Sequence, residues 1–266
     1  VILSKRDLRL EYSGYVIFAA KMVSVVTGLV FQFMVARALS KTEYDLYFNA
    51  LTDVAALFAL MAGVFPFWAM RFATRDKEGA IKTGFVANLG ISAAATLIYV
   101  LLIPLILPAL SISAAYLPVY YIVAIQIVEQ YSIAALEACL QARIPRTIGY
   151  GLLIQQFCKV IVGYVLIVLL GQLLMGVVVT TIIAFALQTG YYLKLLAGEM
   201  KQRIRSDYVK EWLKGSLINI YNVAGAQMTT IVFIMLLTFG GEGARGYEEH
   251  TYELHSHLNL VCRILI

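Results

Sequence analysis

Seven apolar stretches run along this chain, each long enough to cross the hydrocarbon core of a bilayer, which takes about 20 helical residues. They extend from Ser13 to Ala36, Tyr44 to Met70, Thr83 to Leu107, Tyr116 to Leu140, Thr147 to Leu170, Leu173 to Leu193 and Ser216 to Phe239. Between them too little polar material is left to build a water-facing exterior. The chain is 61% hydrophobic and 14% charged, where soluble domains hold roughly half and a quarter, and its mean hydropathy is +0.81. The pattern predicts an all-α, polytopic membrane protein. Only Gly171 and Gln172 separate the fifth and sixth stretches, so a tight turn is expected there.

Positive residues are retained on the cytoplasmic side of a membrane, and here they alternate cleanly between connections. One side collects Lys5, Arg6 and Arg9, then Arg71, Arg75, Lys77 and Lys82, then Arg143 and Arg146, then Lys194, Lys201, Arg203, Arg205, Lys210 and Lys214. The other side has Arg37 and Lys41 alone. Fifteen against two predicts a multi-pass protein of the cytoplasmic membrane with its N-terminus in the cytoplasm. Tyrosine and tryptophan cluster at several of the same boundaries, as interfacial belts do. The first apolar stretch exceeds the length of a signal-peptide core and is expected to serve as its own insertion signal.

These features divide the chain. Residues 1–200 are expected to form a six-helix transmembrane bundle and residues 215–240 the first helix of a second, incomplete bundle. Between them, residues 201–214 read KQRIRSDYVKEWLK, with Ile204, Tyr208 and Trp212 at steps of four among basic residues. That is the pattern of an amphipathic helix suited to an anionic headgroup layer. Composition changes abruptly over residues 241–266, and the expectation is a chain that is truncated or out of frame near Tyr247. His250, His255 and His257 all lie in this tail at a spacing that matches no zinc-ligand pattern, so no metal site is expected.

Placing a charge at the bilayer centre costs roughly 2.5 to 3.5 kcal/mol, so charges there face the bundle interior and mark candidate sites. Lys21 falls in the first stretch, Asp53 in the second, Glu129 and Glu137 in the fourth and Lys159 in the fifth. In the fourth, Gln126, Gln130, Glu137 and Gln141 recur at helical spacing beside Glu129, and Gln155, Gln156 and Lys159 share a face of the fifth. Glu129 and Lys159 admit two readings, a hydrated cavity or a structural ion pair. Glu137 is close enough to the cytoplasmic end to snorkel. Asn219, Asn222 and Gln227 give the seventh stretch a polar side. The candidate cavity residues are Lys21, Gln32, Asp53, Gln126, Glu129, Gln156, Lys159, Asn222 and Gln227. No GxSxG, HExxH or P-loop motif occurs, so no catalytic residue and no nucleic-acid partner are expected. No cofactor is expected either; a proton or sodium ion is the candidate coupling ion.

Thr27 to Arg75 resembles the opening two helices of polysaccharide flippases of the MOP superfamily, the multidrug, oligosaccharidyl-lipid and polysaccharide exporters. The resemblance rests on the ARALS turn of Ala36 to Ser40, the spaced pair Tyr44 and Tyr47, and the run from Gly63 to Ala73 that ends in Arg71-Phe72-Ala73. Phe31 and Gln32 stand where lipid II flippases carry an arginine and an aspartate, which sets the chain apart from that branch. The resemblance implies two six-helix bundles that rock about a central cavity and export a lipid-linked oligosaccharide. Lys21 and Lys159 would then suit a sugar-linked phosphate, and the Gln and Asn side chains sugar hydroxyls. It implies a lipid-linked glycan and membrane lipids as partners, and self-association if seven helices are the whole protein. The alternatives are a cation-coupled multidrug exporter of the same superfamily, with Asp53 and Glu129 as ion carboxylates, and a membrane-embedded enzyme of envelope glycan synthesis.

Overall fold

Inside a bilayer each peptide group must find its hydrogen bond within the protein, which leaves a chain of this composition one solution, a bundle of helices. The computed structural model describes residues 5–48, 50 and 54–216, and no strand occurs among them. The protein is all-α and polytopic. In chain order the elements are α1 (Lys5–Ala38), α2 (Lys41–Tyr47), α3 (Ala55–Phe58), α4 (Val64–Ala73), α5 (Ala80–Ala109), α6 (Leu117–Arg143), α7 (Arg146–Gly163), α8 (Leu173–Leu195) and α9, helical over 206–216. A single 3₁₀ turn, Ala114–Tyr116, leads into α6, and α7 continues as a π-helix over Tyr164–Leu169.

Five helices are long and apolar enough to cross a membrane in one piece: α1 from Tyr12 onward, α5, α6 with its leading turn, α7 with its π-helical end, and α8. The second span departs from the continuous helix expected over Tyr44 to Met70. It opens soundly at a capping box, in which Ser40 Oγ accepts from the Glu43 amide while the Glu43 carboxylate accepts from the Ser40 amide. Residues 48, 50 and 54 are then π-helical, α3 lasts four residues, and Leu60–Gly63 is a 3₁₀ turn before α4. Such breaks free backbone carbonyls, and neighbouring side chains take them up. Ala62 N donates to Ala59 O, so Phe58 O loses its usual donor, and the Tyr131 hydroxyl donates to it at 3.1 Å. Asn88 Nδ2 donates to Ala62 O at 3.1 Å and to Tyr131 O at 2.7 Å. One amide on α5 and one phenol on α6 therefore hold the broken span in place. The seventh stretch lies outside the described residues beyond Ser216.

The turn between the fifth and sixth stretches forms as expected. Leu170 N donates to Val165 O and Gln172 N to Leu166 O, while Gly171 takes φ 63°, a left-handed conformation that glycine adopts without cost. Small residues then let the helices close up. At Gly149 a Cβ would lie 3.1 Å from the Val16 carbonyl and 3.3 Å from the Ala20 side chain, so α7 lies directly on α1. At Gly151 it would overlap the Tyr192 ring of α8, and at Gly84 the Ala69 side chain of α4. Helices α5 and α6 form an antiparallel pair, tied near its far end by Tyr99 Oη donating to Tyr120 O at 2.7 Å.

Where the sequence places Ile204, Tyr208 and Trp212 on one stripe for lipid, the structure divides them. Trp212 is fully buried, with Phe72 edge-on at 5.4 Å and Phe65 and Tyr208 beside it, whereas Ile204 and Leu213 are exposed. Polar contacts fix the approach to α9: Gly79 N donates to Gln202 Oε1 and Arg205 N to Thr83 Oγ1. Arg143, at the end of α6, pairs with Asp76 at 2.5 Å and Glu199 at 3.5 Å. All described residues belong to one compact unit.

Candidate functional site

Helices α6 and α8 run in the same direction, and their register is set by Gln188 Nε2 donating to Glu137 Oε1 at 3.1 Å. Eight residues earlier on each helix stand Glu129 and Thr180, which are therefore level with one another, about 12 Å along the bundle. Helix α7 runs against α8 and meets it where Gly151 faces Tyr192 and Ile167 faces Gly176. Between those contacts Gly163 falls level with Thr180, and Lys159 lies one turn toward the Tyr192 end. Gly163 also abuts Phe31 and Met34, which brings Gln32 of α1 to the same level. Helical register thus gathers Gln32, Glu129 and Thr180 into one layer of the bundle, with Gln126 and Lys159 one turn to either side and Gln156 one turn beyond Lys159.

Few of these polar groups are satisfied. Gln32 Oε1, Gln126 Oε1, Glu129 Oε2, Gln156 Oε1 and Thr180 Oγ1 are all buried with no hydrogen-bond partner among the described residues. Gln126 is 4% exposed and Glu129 9%. In native proteins the great majority of buried polar atoms are paired; here these five fall within about two turns of one level, while other unpaired atoms, Gln188 Oε1 and Trp212 Nε1 among them, lie elsewhere in the bundle. The ion-pair reading of Glu129 and Lys159 does not survive: among the described residues the ion pairs are those of Arg143. Lys159 Nζ instead sits 5.1 Å from the Phe31 ring centroid, a cation–π contact with α1. Gln32 reaches across to hydrogen-bond Tyr47 of α2.

A second polar cluster lies two turns away and is built differently. The Glu137 carboxylate accepts from Gln188 Nε2 and from the Tyr192 hydroxyl at 3.0 Å, and that hydroxyl also lies 3.1 Å from Ile148 O. Lys21, exposed on α1, is within electrostatic range of Glu137. Glu137 therefore does not snorkel; it is held inside by α8. Asn88, Thr180, Gln188 and Tyr192 take part in these arrangements and were missed by the sequence reading, although Gln188 and Tyr192 stand one helical turn apart opposite a glycine-rich stretch of α7. Asp53, Asn222 and Gln227 lie outside the described residues. Among those described, no group of three or more His, Cys, Asp or Glu side chains is placed to hold a metal.

Chemically, these orphans offer hydrogen-bond acceptors from four helices, amide donors and one ammonium group inside an apolar bundle. Nothing among the described residues pairs these atoms.

No protein-family model and no curated protein sequence matches the chain. Solved structures do share its fold. One is the outward-facing form of a multidrug resistance MATE family transporter of the MOP superfamily, with a TM-score of 0.64 and 11% identity, over 84% of this chain and 53% of that one. Another is a MOP superfamily transporter from Pyrococcus furiosus, described as having a binding pocket of reverse polarity that suggests a different function, with a TM-score of 0.67 and 12% identity, over 92% of this chain and 60% of that one. At such identities the likeness is one of fold, and the chain spans little more than half the length of either structure.

Proposed function

We propose that this chain is part of a membrane transporter that moves a lipid-linked oligosaccharide outward across the cytoplasmic membrane by alternating access, with its N-terminus in the cytoplasm. The observation that carries the reading is the orphan layer of Gln32, Gln126, Glu129, Gln156 and Thr180 beside Lys159. Buried amide oxygens without donors suit the hydroxyls of a sugar, and an ammonium without a carboxylate partner suits the phosphate that links it to lipid. The fold shared with MOP superfamily transporters supports a transport role. Polar groups at membrane depth must stay in protein or water throughout a transport cycle, and two bundles that rock about a fixed site satisfy that requirement. The second bundle would come from a longer form of the protein or from a second copy.

Reconstitution tests the reading. Vesicles containing the protein should move a fluorescent lipid-linked oligosaccharide between leaflets, and Lys159→Ala should slow this at least tenfold. Movement no faster than in protein-free vesicles overturns it. One observation favours a multidrug exporter instead: Glu129, an interior carboxylate with an unpartnered oxygen, suits an organic cation. A deletion strain separates the two. Loss of an exported glycan with unchanged drug sensitivity supports the flippase, and the reverse supports the exporter.

A further inference from the structure

Helices α1 and α7 lie together from Gly149 to Gly163. Beyond Gly163 α7 turns π-helical and its side chains become bulky, beginning with Tyr164 and Val165. A groove of 830 Å³ opens at this point, walled by Val30 and Met34 of α1, Tyr164 and Val165 of α7 and Leu173 of α8. Its volume is in the range of about 300 to 1,000 Å³ typical of ligand pockets. Arg37, in the last turn of α1, is the single charged residue on its lining. Arg37 is exposed and makes no ion pair with a described residue.

We infer that this groove is a binding site for an anionic phospholipid, with an acyl chain between α1 and α7 and the headgroup phosphate on Arg37. The walls are apolar and half of them stand open on the flank of the bundle: Val30 is 51% exposed and Tyr164 51%. Water would gain nothing there, while an empty groove forfeits dispersion contacts along its length. An acyl chain supplies them. The guanidinium presents a planar fork of donors that matches a phosphate in two-pronged fashion. Charge selects the headgroup because few other cations are near. By the alternation of the connections only Arg37 and Lys41 lie at this end of the spans, so a bound phosphate has Arg37 as its main partner. The inference does not depend on what the protein transports.

Native mass spectrometry of the full chain, stripped of lipid and titrated with phosphatidylglycerol or phosphatidylcholine, tests it. Phosphatidylglycerol should bind at least tenfold more tightly than phosphatidylcholine, and Arg37→Gln should erase that preference. Val165→Trp should fill the groove and reduce the binding of both lipids. Both positions are exposed, so the variants should fold, and Arg37→Lys should retain part of the selectivity. A phosphatidylglycerol carrying a photoreactive acyl chain should label the segment from Tyr164 to Leu173. Equal retention by the parent and Arg37→Gln overturns the inference, as does labelling confined to other helices, which is also the result if a protein segment covers the groove. Displacement by a tenfold lower concentration of polyprenyl phosphate overturns it too, since the groove would then belong to a carrier lipid.

Discussion

Glu129 and Glu137 sit on the same stripe of α6, eight residues apart, yet the structure treats them in opposite ways. Glu137 is met by an amide and a phenol from α8 and lies within range of a lysine on α1. Glu129, like the amides of Gln32, Gln126 and Gln156, is buried with an oxygen that no described residue satisfies. A protein that needed both carboxylates only to hold helices together would have paired both. The contrast separates a region in which a carboxylate is held by donors, running from Glu137 through Tyr192 to the docked α9, from a region in which the carboxylate and its neighbouring amides are unpaired, the site proposed above.

Removing the anchor at the cohesive end should give the largest effect. Trp212 is fully buried among Phe65, Phe72 and Tyr208, so Trp212→Ala should cost about 3 to 5 kcal/mol, in the range seen for large aromatic residues in cores. Unfolding of the purified protein in a denaturing detergent measures it. Trp212→Phe should cost far less, because the indole nitrogen has no partner to lose. A loss below about 1 kcal/mol for the alanine variant would mean that α9 rests on the bundle without stabilising it.

Next in size is Asn88→Ala, which strips a donor from both Ala62 O and Tyr131 O. Interhelical hydrogen bonds in membranes are worth on average about 0.6 kcal/mol and at most about 1.7, so losing two should cost about 2 kcal/mol. The same variant should loosen the broken span, read as faster hydrogen exchange over Leu60–Gly63. Unchanged exchange would show that the break is held by other contacts.

Sequence made the helices legible because a bilayer demands about 20 apolar residues for each crossing, and five crossings with their tight turn at Gly171 follow from that alone. Of the break in the second span it showed one cause, Pro66, whose missing N–H leaves Ala62 O without its usual donor. It did not show what holds the break, since the donors to Ala62 O and Phe58 O come from Asn88 and Tyr131, dozens of residues away. The stripe on α6 was visible from spacing, but not which of its members is paired, since that depends on whether α8 presents a Gln or only Thr180 at the matching level. Lys159 shows the same limit. A carboxylate at similar depth suggests an ion pair, and only packing reveals that Phe31 of α1 takes its place.

A smaller effect should follow at Glu137. Tyr192→Phe removes the hydroxyl that touches Glu137 and Ile148 O while keeping the ring against Gly151, so it should cost about 0.6 to 1.7 kcal/mol in the same unfolding measurement. Transport should fall by less than about threefold if the cluster serves cohesion alone. A tenfold loss of transport at unchanged stability would move this cluster into the open region and dissolve the contrast.

The smallest effect on stability is expected at Glu129, where the contrast is most exposed to failure. Glu129→Gln is nearly isosteric and removes a carboxyl group whose Oε2 has no partner among the described residues. With no partner to break, stability should change by no more than about 0.5 kcal/mol. Transport should nevertheless fall at least tenfold, which corresponds to about 1.4 kcal/mol of lost stabilisation in the transport step. The two readouts decide separately. A stability loss as large as that of Tyr192→Phe would reveal a structural partner for Glu129 and make both carboxylates cohesive. Unchanged transport with unchanged stability would leave Glu129 idle, and the orphan layer would no longer mark a site.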